Sequence, residues 1–351
     1  MDFTSENTAP VHPAIVDAVV KANSGYATNF EAEEWTKRAH ERLENFFECE
    51  LSAFTVLTGT AANAIALGAM VPPYGAILCH WDAHIETDEC GAPEMFTFGA
   101  RQIPLHGEHG KLDPGALETY LKEARFGVVH ALQPATLSLT QLTEAGTAYT
   151  PTEISILTGI ARRFGLSVHM DGARFANAVA SLGATPAEVA WKAGVDIITL
   201  GTTKSGTFGA ETIVSFKPEF AKALSFSRKR SGHLAPKSRF LGAQIEAYVE
   251  NDLWLKNARH ANDAAQRLSK GLAAVAGVQI VHPTEGNEVF AAMPLAMTDQ
   301  LINEGFKFHR DWRLHPRHNR FVMSWAASFD DIDALIEICK RLAQALYIDT
   351  K

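Results

Sequence analysis

The sequence predicts an α/β protein, with a mostly parallel sheet in a large domain and a small α+β domain at the C-terminal end. From about residue 51 to 220, short runs of β-branched residues alternate with longer amphipathic segments, which is typical of a parallel sheet covered by helices. The 351 residues exceed the ~250–300 over which one hydrophobic core usually extends, so two domains are expected. After about residue 236 the alternation stops and a long helical pattern begins.

Short apolar segments predict the strands of the large domain, and segments with helical spacing predict the helices around them. The predicted strands are 52–57, 76–79, 100–105, 127–132, 166–170, 196–200 and 212–216. The predicted helices are 30–47, 61–71, 112–124 and 150–165. The last of these opens with Thr150 and Pro151 and ends at Gly165, which are typical residues for helix boundaries.

The C-terminal part predicts a smaller unit. A long helix is expected from about 236 to 271, followed by strands over 278–282, 287–293 and 320–325 and an amphipathic helix over 329–347. We therefore divide the chain into an N-terminal arm with a first helix, a large domain and a small α+β domain. Their boundaries are 1–25, 26–250 and 251–351.

Composition and charge exclude several classes of protein. The 32 Lys and Arg residues against 40 Asp and Glu residues give a net charge of −8, which argues against nucleic acid as the main partner. The four cysteines form no C-x-x-C pair and the N-terminus lacks a signal-peptide pattern, so a reducing, cytoplasmic setting is expected. No apolar run approaches the ~20 residues that a membrane-spanning helix needs, so no membrane span is expected.

Polar residues follow three of the predicted strands. Asp171 and Arg174 come directly after the fifth strand, and Lys204 follows the sixth in a loop of Gly, Thr and Ser. Gly59 and Thr60 open the helix after the first strand. Ligands of open α/β sheets bind beyond the carboxyl ends of the strands, so these residues are candidates for one site. A helix start can hold phosphate, a lysine can form a Schiff base and an acid can stabilise a pyridine nitrogen, which together suit pyridoxal phosphate.

Each feature also has an ordinary structural explanation when it is taken alone. The acid and the arginine could form a local ion pair, the lysine could be solvated and Thr60 could cap its helix. His80 and His84 have the i,i+4 spacing of a metal-binding pair, but no motif such as H-E-x-x-H accompanies them. We therefore expect no metal site.

The sequence resembles the low-specificity L-threonine aldolases and phenylserine aldolases of the β-eliminating lyase group. The similarity covers nearly the whole chain and rests on FTSENTAP, TGTAAN, DAHIETDECGAPE, HMDGARFANA, GTTKSG, RKRSGHL and RFVMSWAAS. This resemblance implies fold type I of the pyridoxal-phosphate enzymes, with a seven-stranded, mostly parallel sheet. It also implies pyridoxal 5'-phosphate as cofactor and a homodimer or homotetramer whose active site lies at the subunit interface.

The resemblance also implies roles for the residues that match the family motifs. Lys204 would form the Schiff base with the cofactor, and Asp171 would pair with its pyridine nitrogen. His84 would stack on the cofactor ring, while Gly59 and Thr60 would hold the phosphate.

A second set of residues matches the part of the site that binds substrate. Arg174, which also belongs to the cofactor site, and Arg320 would bind the substrate carboxylate with help from Ser5. Ser5 could instead cap the N-terminal arm, Arg320 could face solvent, and Arg313 is an alternative to Arg320. The basic segment 227–239 reads either as a solvated loop or, by the resemblance, as a region that approaches a cofactor phosphate.

The implied reaction is the reversible cleavage of L-3-hydroxy-α-amino acids to glycine and an aldehyde, with L-threonine, L-allo-threonine and L-phenylserine as substrates. Many relatives carry a histidine in an ENTH-like segment, where this chain has TQLTEAG over 140–146. His84, or a water ordered by the cofactor phosphate, is then the candidate base, and Gln141 a candidate to orient substrate.

Two other classes of function remain open. One is another enzyme of the same fold and cofactor, either a β-eliminating lyase or an aminotransferase. The other is a non-catalytic binding protein, which would keep Lys204, Asp171 and both arginines for no chemical purpose.

Overall fold

The computed structural model describes residues 2–314 and 317–348 of the chain. It contains two β-sheets. The strands are β1 (Ser52–Val56), β2 (Gly75–His80), β3 (Arg101–Leu105), β4 (Gln133–Thr140), β5 (Ser167–Gly172), β6 (Ile197–Leu200), β7 (Glu211–Ser215), β8 (Gln279–Ile280), β9 (Glu288–Ala292) and β10 (His318–Val322).

The larger sheet has seven strands in the order β1-β7-β6-β5-β4-β2-β3. The pairs from β6 to β3 are parallel, and β7 is antiparallel to both of its neighbours. Strand β1 therefore runs in the same direction as β6, so the carboxyl ends of β1, β2, β4, β5 and β6 share one edge of the sheet. The predicted seven-stranded, mostly parallel sheet is confirmed. Strands β8, β9 and β10 form a small antiparallel sheet.

Helices surround both sheets. They are α1 (Pro13–Ala22), α2 (Glu34–Phe47), α3 (Gly59–Met70), α4 (His84–Thr87), α5 (Ala92–Phe96), α6 (Pro114–Glu123), α7 (Pro151–Arg163), α8 (Phe175–Leu182), α9 (Pro186–Val189), α10 (Pro218–Arg230), α11 (Arg239–Val249), α12 (Leu253–Ala273), α13 (Leu295–Asn303) and α14 (Phe329–Ile348). Across residues 2–314 and 317–348, none of them combines the length and apolar character needed to span a bilayer.

One predicted strand is wrong. Residues 127–132 form a surface loop, in which the side chain of Val129 is 93% exposed, and the strand begins only at Gln133. The Gln133 side chain holds this loop, because its Oε1 accepts from the Gly127 N–H (2.8 Å) and its Nε2 donates to the Ala131 carbonyl (2.9 Å). The β-branched residues of the loop resemble a strand in composition without being buried. The other six predicted strands of this sheet are confirmed.

The predicted long helix over 236–271 is also wrong, since the structure divides it into α11 and α12. Asn251 and Asp252 lie between them with φ values of 54° and 56°, in the left-handed region that interrupts a helix. Asn and Asp tolerate this conformation better than most residues. The predicted helices that became α2, α3, α6, α7 and α14 are confirmed with small shifts of their ends.

Among the described residues, one hydrophobic core lies between α3 and the face of the large sheet that this helix covers. Two further cores bear on the division into domains. The first lies against the opposite face of the large sheet, and the second lies between the small sheet and α12, α13 and α14. Helix α12 contributes to both, with Trp254 and Ala258 in the first core and Leu268 and Leu272 in the second. The division at residues 25 and 250 stays a prediction, because α12 belongs to both cores.

The N-terminal residues pack against the second core rather than the first. Phe3 is buried among its side chains. The Phe3 N–H donates to the Lys307 carbonyl (2.7 Å), and its carbonyl accepts from the Val322 N–H (2.9 Å). The start of the chain is thus attached to residues more than three hundred positions further along.

A close approach of two backbones sets the distance between the loops after β5 and β6. The Gly201 N–H donates to the Gly172 carbonyl (3.0 Å), and a Cβ at Gly201 would lie 2.6 Å from the Ala173 Cα. Glycine is therefore required at position 201.

We expect Gly201→Ala to lower the free energy of unfolding by about 1–3 kcal/mol, because the added methyl group forces these backbones apart. Gly159→Ala is the matched control, since a Cβ at this exposed helical position meets nothing within 4 Å and should stabilise α7 by ~0.5–1 kcal/mol. Urea unfolding of both variants measures the difference. Equal stability of the two would contradict the steric argument.

Candidate active site

A cavity of about 480 Å³ lies at the edge of the large sheet where the parallel strands end. This volume falls within the range of about 300–1,000 Å³ that is typical of small-molecule sites. Its walls include five of the predicted site residues, namely Gly59, Thr60, His84, Asp171 and Lys204. A second cavity of about 470 Å³ between α1, α2 and α11 contains none of them. We call the first one the main cavity.

Asp171 lies at the end of β5 and is buried. Its Oδ2 accepts a hydrogen bond from the Asn63 Nδ2 (2.9 Å), and its Oδ1 accepts one from the Ala173 N–H (3.0 Å). These two contacts fix the carboxylate in the wall of the main cavity. Asn63 lies one turn into α3, within the TGTAAN segment, and the sequence analysis missed it.

His84 is the first residue of α4, and its imidazole is held by a buried carboxylate. The His84 Nδ1 hydrogen-bonds to the Glu89 Oε1 at 2.8 Å. This hydrogen bond raises the pKa of His84, so the imidazole holds a proton over a wider pH range than a solvated histidine does. Asn63 donates to the same Glu89 oxygen (2.8 Å), which links the histidine to Asp171 through one amide.

Lys204 lies in a short turn that follows β6, and a buried acid fixes that turn. The Glu211 carboxylate accepts hydrogen bonds from the N–H groups of Thr202 (3.2 Å) and Thr203 (3.1 Å). Burial raises the pKa of Glu211. Within the described part of the chain, the Lys204 amine has no hydrogen bond and no carboxylate within 4 Å. The amine is therefore available to a carbonyl group.

The start of α3 forms another wall of the main cavity. The helix cap is Thr58, whose Oγ1 accepts from the Ala61 N–H (3.2 Å), so the alternative that Thr60 caps this helix is wrong. In residues 2–314 and 317–348, neither the Gly59 N–H nor the Thr60 N–H donates a hydrogen bond to the protein. Two open N–H groups at the start of a 12-residue helix suit an anion such as phosphate.

The residues around the main cavity fit pyridoxal phosphate. The open N–H groups suit its phosphate, Asp171 suits the protonated ring nitrogen, His84 suits the face of the ring and Lys204 suits the aldehyde. The donor atoms of His84, Glu89 and Asp171 also lie within 4.8 Å of one another, as metal ligands do. Hydrogen bonds among these residues and Asn63 already account for their proximity.

The two predicted carboxylate-binding arginines are brought together, although neither lines the main cavity. The Arg320 Nη2 lies 2.6 Å from the Glu288 Oε1, and the Arg174 Nη1 lies 3.4 Å from the Glu288 Oε2. Glu6 occupies the other side of Arg174, with its oxygens 2.5 Å from Nε and 3.1 Å from Nη2. Both guanidinium groups are therefore paired within the protein.

The remaining candidates have local partners. The Ser5 hydroxyl accepts from the Asn7 N–H (3.1 Å) and so caps a short turn. The Arg313 Nε lies 2.9 Å from the Asp82 Oδ1. The Gln141 amide forms hydrogen bonds with the backbone of Tyr149 at 2.8 Å and 3.0 Å, and its role in orienting substrate stays a prediction.

The basic segment 227–239 is only partly the solvated loop that one interpretation expected, and its approach to a cofactor phosphate stays a prediction. It comprises the last turn of α10 and the residues that follow, and Arg228 is buried in an ion pair with Glu31. The Arg228 guanidinium also lies 5.4 Å from the ring centre of Phe54. This segment therefore joins α10 to the residues before α2.

Comparison with known proteins agrees with this geometry. A family model described as beta-eliminating lyase matches residues 2–295. A low specificity L-threonine aldolase from Pseudomonas sp. (strain NCIMB 10558) is 38% identical over 324 residues, which are 92% of this chain and 92% of that protein. A protein of the same description from Pseudomonas aeruginosa is 36% identical over 333 residues, or 95% of each chain.

Solved structures also show the fold. The Leishmania major threonine aldolase matches with a TM-score of 0.90 and 25% identity, over 97% of this chain and 99% of that one. An aspartate aminotransferase from Rhodobacter sphaeroides shares the fold, with a TM-score of 0.71 and 16% identity over 98% of this chain and 93% of that one. Fold type I of the pyridoxal-phosphate enzymes, as expected from the sequence, is confirmed.

The pair of Glu6 and Arg174 predicts how stability depends on pH. Burial alone would raise the pKa of Glu6, but the charges of Arg174 and Lys204 outweigh it and hold this pKa well below its ordinary value. The stabilisation is therefore present above the ordinary glutamate pKa of 4.5 and is lost as the pH falls below it.

We expect Glu6→Gln to lower the free energy of unfolding by ~3–5 kcal/mol at neutral pH, because it leaves a buried guanidinium with one partner fewer. The difference from the unmodified protein should shrink on acidification. Urea unfolding at several pH values measures it, with Glu34→Gln, in an exposed pair with Lys37, as a control that should change little. A difference that is constant with pH would contradict the assignment.

Proposed function

Because the chain belongs to the β-eliminating lyase family, we propose that it cleaves L-3-hydroxy-α-amino acids reversibly to glycine and an aldehyde. It is a carbon–carbon lyase that uses pyridoxal phosphate. The proposed substrates are L-threonine, L-allo-threonine and L-phenylserine. The observation that carries the proposal is the main cavity, in which the unpaired amine of Lys204 shares a wall with the buried carboxylate of Asp171.

The proposed cofactor contacts follow from this cavity. Lys204 holds the cofactor aldehyde, and Asp171 keeps a proton on the ring nitrogen. The N–H groups of Gly59 and Thr60 hold the phosphate, and His84 lies against the ring. When bound, pyridoxal phosphate withdraws electrons from the bonds at the substrate α-carbon.

The proposed substrate contacts involve both arginines. Arg174 and Arg320 orient the carboxylate of the amino acid, with the Ser5 turn beside them. The Arg174 Nη1 makes only the 3.4 Å contact with Glu288, so this nitrogen still has protons to donate to a substrate carboxylate. Holding the substrate so that its Cα–Cβ bond is aligned for cleavage can contribute up to ~7–11 kcal/mol.

We also propose that a second copy of the chain covers one side of this site. An apolar groove of about 440 Å³ runs between α1 and α11, and we call it the α1 groove. Val11, Leu57 and Phe208 line both the α1 groove and the main cavity. Phe208 is 75% exposed and Val20 is 67% exposed in the single chain. A homodimer through the α1 groove, alone or within a homotetramer, would bury both and place the active site at the interface.

We expect the purified protein to release acetaldehyde from L-threonine and benzaldehyde from L-phenylserine, each with an equal amount of glycine. Lys204→Ala should lose the visible absorbance of the bound cofactor and reduce aldehyde release to background, because no other lysine of the described residues lines the main cavity. Lys192→Ala is the control, since this lysine is exposed beside Glu48 and should change neither.

The products separate the other functions in the same assay. Pyruvate and ammonia would indicate β-elimination, and an amino acid formed from an added 2-oxo acid would indicate transamination. An absorbance band with no product from any amino acid would indicate a binding protein.

We expect Val20→Glu to convert the assembly to monomers, because it places a charge in the α1 groove without altering the main cavity. Sedimentation velocity of both proteins measures this change. Val129→Glu is the control, since Val129 lies exposed in a loop that lines neither cavity and should leave the assembly intact. An active wild-type monomer, or a Val20→Glu protein that sediments like wild type, would contradict the proposed interface.

A further inference from the structure

Glu144 lies where two cavities meet. It lines the main cavity together with His84 and Lys204. It also lines a smaller cavity of about 150 Å³, which we call the side cavity, together with Phe290 and Trp312. Among the described residues it is the only one that lines both. The site therefore has an acidic group at the boundary between the main cavity and the side cavity.

A tight turn after β4 holds Glu144 in this position. The Thr143 N–H donates to the Thr147 carbonyl (2.9 Å), and the Gly146 N–H donates to the Thr143 carbonyl (2.9 Å). The hydroxyl groups of the two threonines are 2.8 Å apart, and both side chains are buried. The backbone around Glu144 is thus fixed by contacts that do not involve its carboxyl group.

The carboxyl group itself is unpaired. Within residues 2–314 and 317–348 it makes no hydrogen bond and has no basic group within 4 Å. The charged groups that act on it at longer range include Arg174 from the start of α8, His84 from α4, Lys204 from the turn after β6 and Glu288 from β9. Asp82 and Arg313 line the side cavity with it. Because the Glu144 carboxyl group has no hydrogen bond or close ion pair with the described residues, it can exchange a proton with a ligand without first breaking an ion pair.

We propose that Glu144 is the base that removes the proton from the β-hydroxyl group of the substrate, an inference that rests on the proposed aldol cleavage. The substrate α-carbon lies in the main cavity with Lys204. The β-carbon carries both the hydroxyl group and the β-substituent, so with the substituent directed toward the side cavity the hydroxyl lies near the boundary between the two cavities. Glu144 is the acidic side chain at that boundary.

The step balances without a further reactant. The Glu144 carboxylate accepts the hydroxyl proton, the oxygen forms the C=O bond of the aldehyde, and the Cα–Cβ bond breaks. The electrons of that bond leave with the glycine fragment. One proton from solvent is then taken up at the α-carbon, and Glu144 releases the proton that it received to solvent. The substrate has then divided into glycine and aldehyde with no net change in protons.

The environment favours Glu144 over His84 for this task. Burial raises the pKa of Glu144, which makes its carboxylate a stronger base than a solvated one. The hydrogen bond that His84 donates to the Glu89 carboxylate raises the pKa of His84, so its ring tends to hold a proton rather than accept one. His84 thus acts against the cofactor ring, and Glu144 acts on the substrate hydroxyl.

Glu144→Gln tests this inference, because it keeps the size of the side chain and removes the base. We expect kcat for L-threonine cleavage to fall by at least about 100-fold, the usual contribution of a general base, with little change in KM. The visible absorbance of the bound cofactor should persist. Exchange of the glycine α-proton in D2O should stay within about twofold of wild type, because glycine has no β-hydroxyl group.

Matched variants separate this role from a structural one. Glu123→Gln, an exposed glutamate on α6, should change neither reaction. Glu144→Asp keeps a carboxylate and should recover part of the cleavage rate. In wild type, kcat/KM for cleavage should fall at acid pH as Glu144 takes up a proton, and Glu144→Gln should lack this acid limb.

Three outcomes would overturn the inference. Cleavage by Glu144→Gln near the wild-type rate would exclude the base role. A parallel loss of cleavage and glycine exchange would show that Glu144 shapes the site instead. A wild-type protein that exchanges the glycine α-proton but releases no aldehyde would refute the proposed function itself, and the role of Glu144 with it.

Discussion

The candidate site depends on the hydrogen bonds of one buried amide. The Asn63 Nδ2 donates to both Asp171 and Glu89, and its Oδ1 accepts from the Thr199 hydroxyl (2.7 Å). This side chain therefore connects the start of α3 to β5, to β6 and, through Glu89, to His84. Each of these elements carries a different part of the site, and the hydrogen bonds of the Asn63 side chain fix their positions relative to one another. A buried amide with all these partners in place is costly to rearrange.

Two arginines and two carboxylates form a second fixed cluster, which is the proposed binding place of the substrate carboxylate. Glu6 and Glu288 balance the charges of Arg174 and Arg320 before any substrate arrives. A buried ion pair of this kind adds little net stability, since desolvation offsets the attraction. It does hold both guanidinium groups in defined orientations. In the proposed site, a substrate carboxylate would replace one of the existing contacts with Glu6 or Glu288, so no mobile arginine side chain has to become ordered.

The sequence predicted those parts of the structure that follow from strand position. Asp171 and Lys204 were found because each comes directly after a strand, and parallel strands bring their carboxyl ends to one edge. The segment 127–132 was predicted as a strand because of its two valines, but both lie on the surface. The contacts of the Gln133 side chain hold this segment as a loop, and they have no signal in the local sequence. Glu144 was missed because an acid in a loop has no local pattern, and its place between two cavities depends on packing from distant elements.

The attachment of Phe3 and Glu6 to the C-terminal part has a consequence for synthesis on the ribosome. Glu6 contacts Asn287, which lies 281 residues further along the chain, and Phe3 pairs with the backbone near residues 307 and 322. These contacts cannot form until most of the polypeptide has emerged. The large sheet can assemble earlier, since its last strand ends at Ser215. We expect the nascent chain to carry a folded sheet while its first residues still wait for their partners.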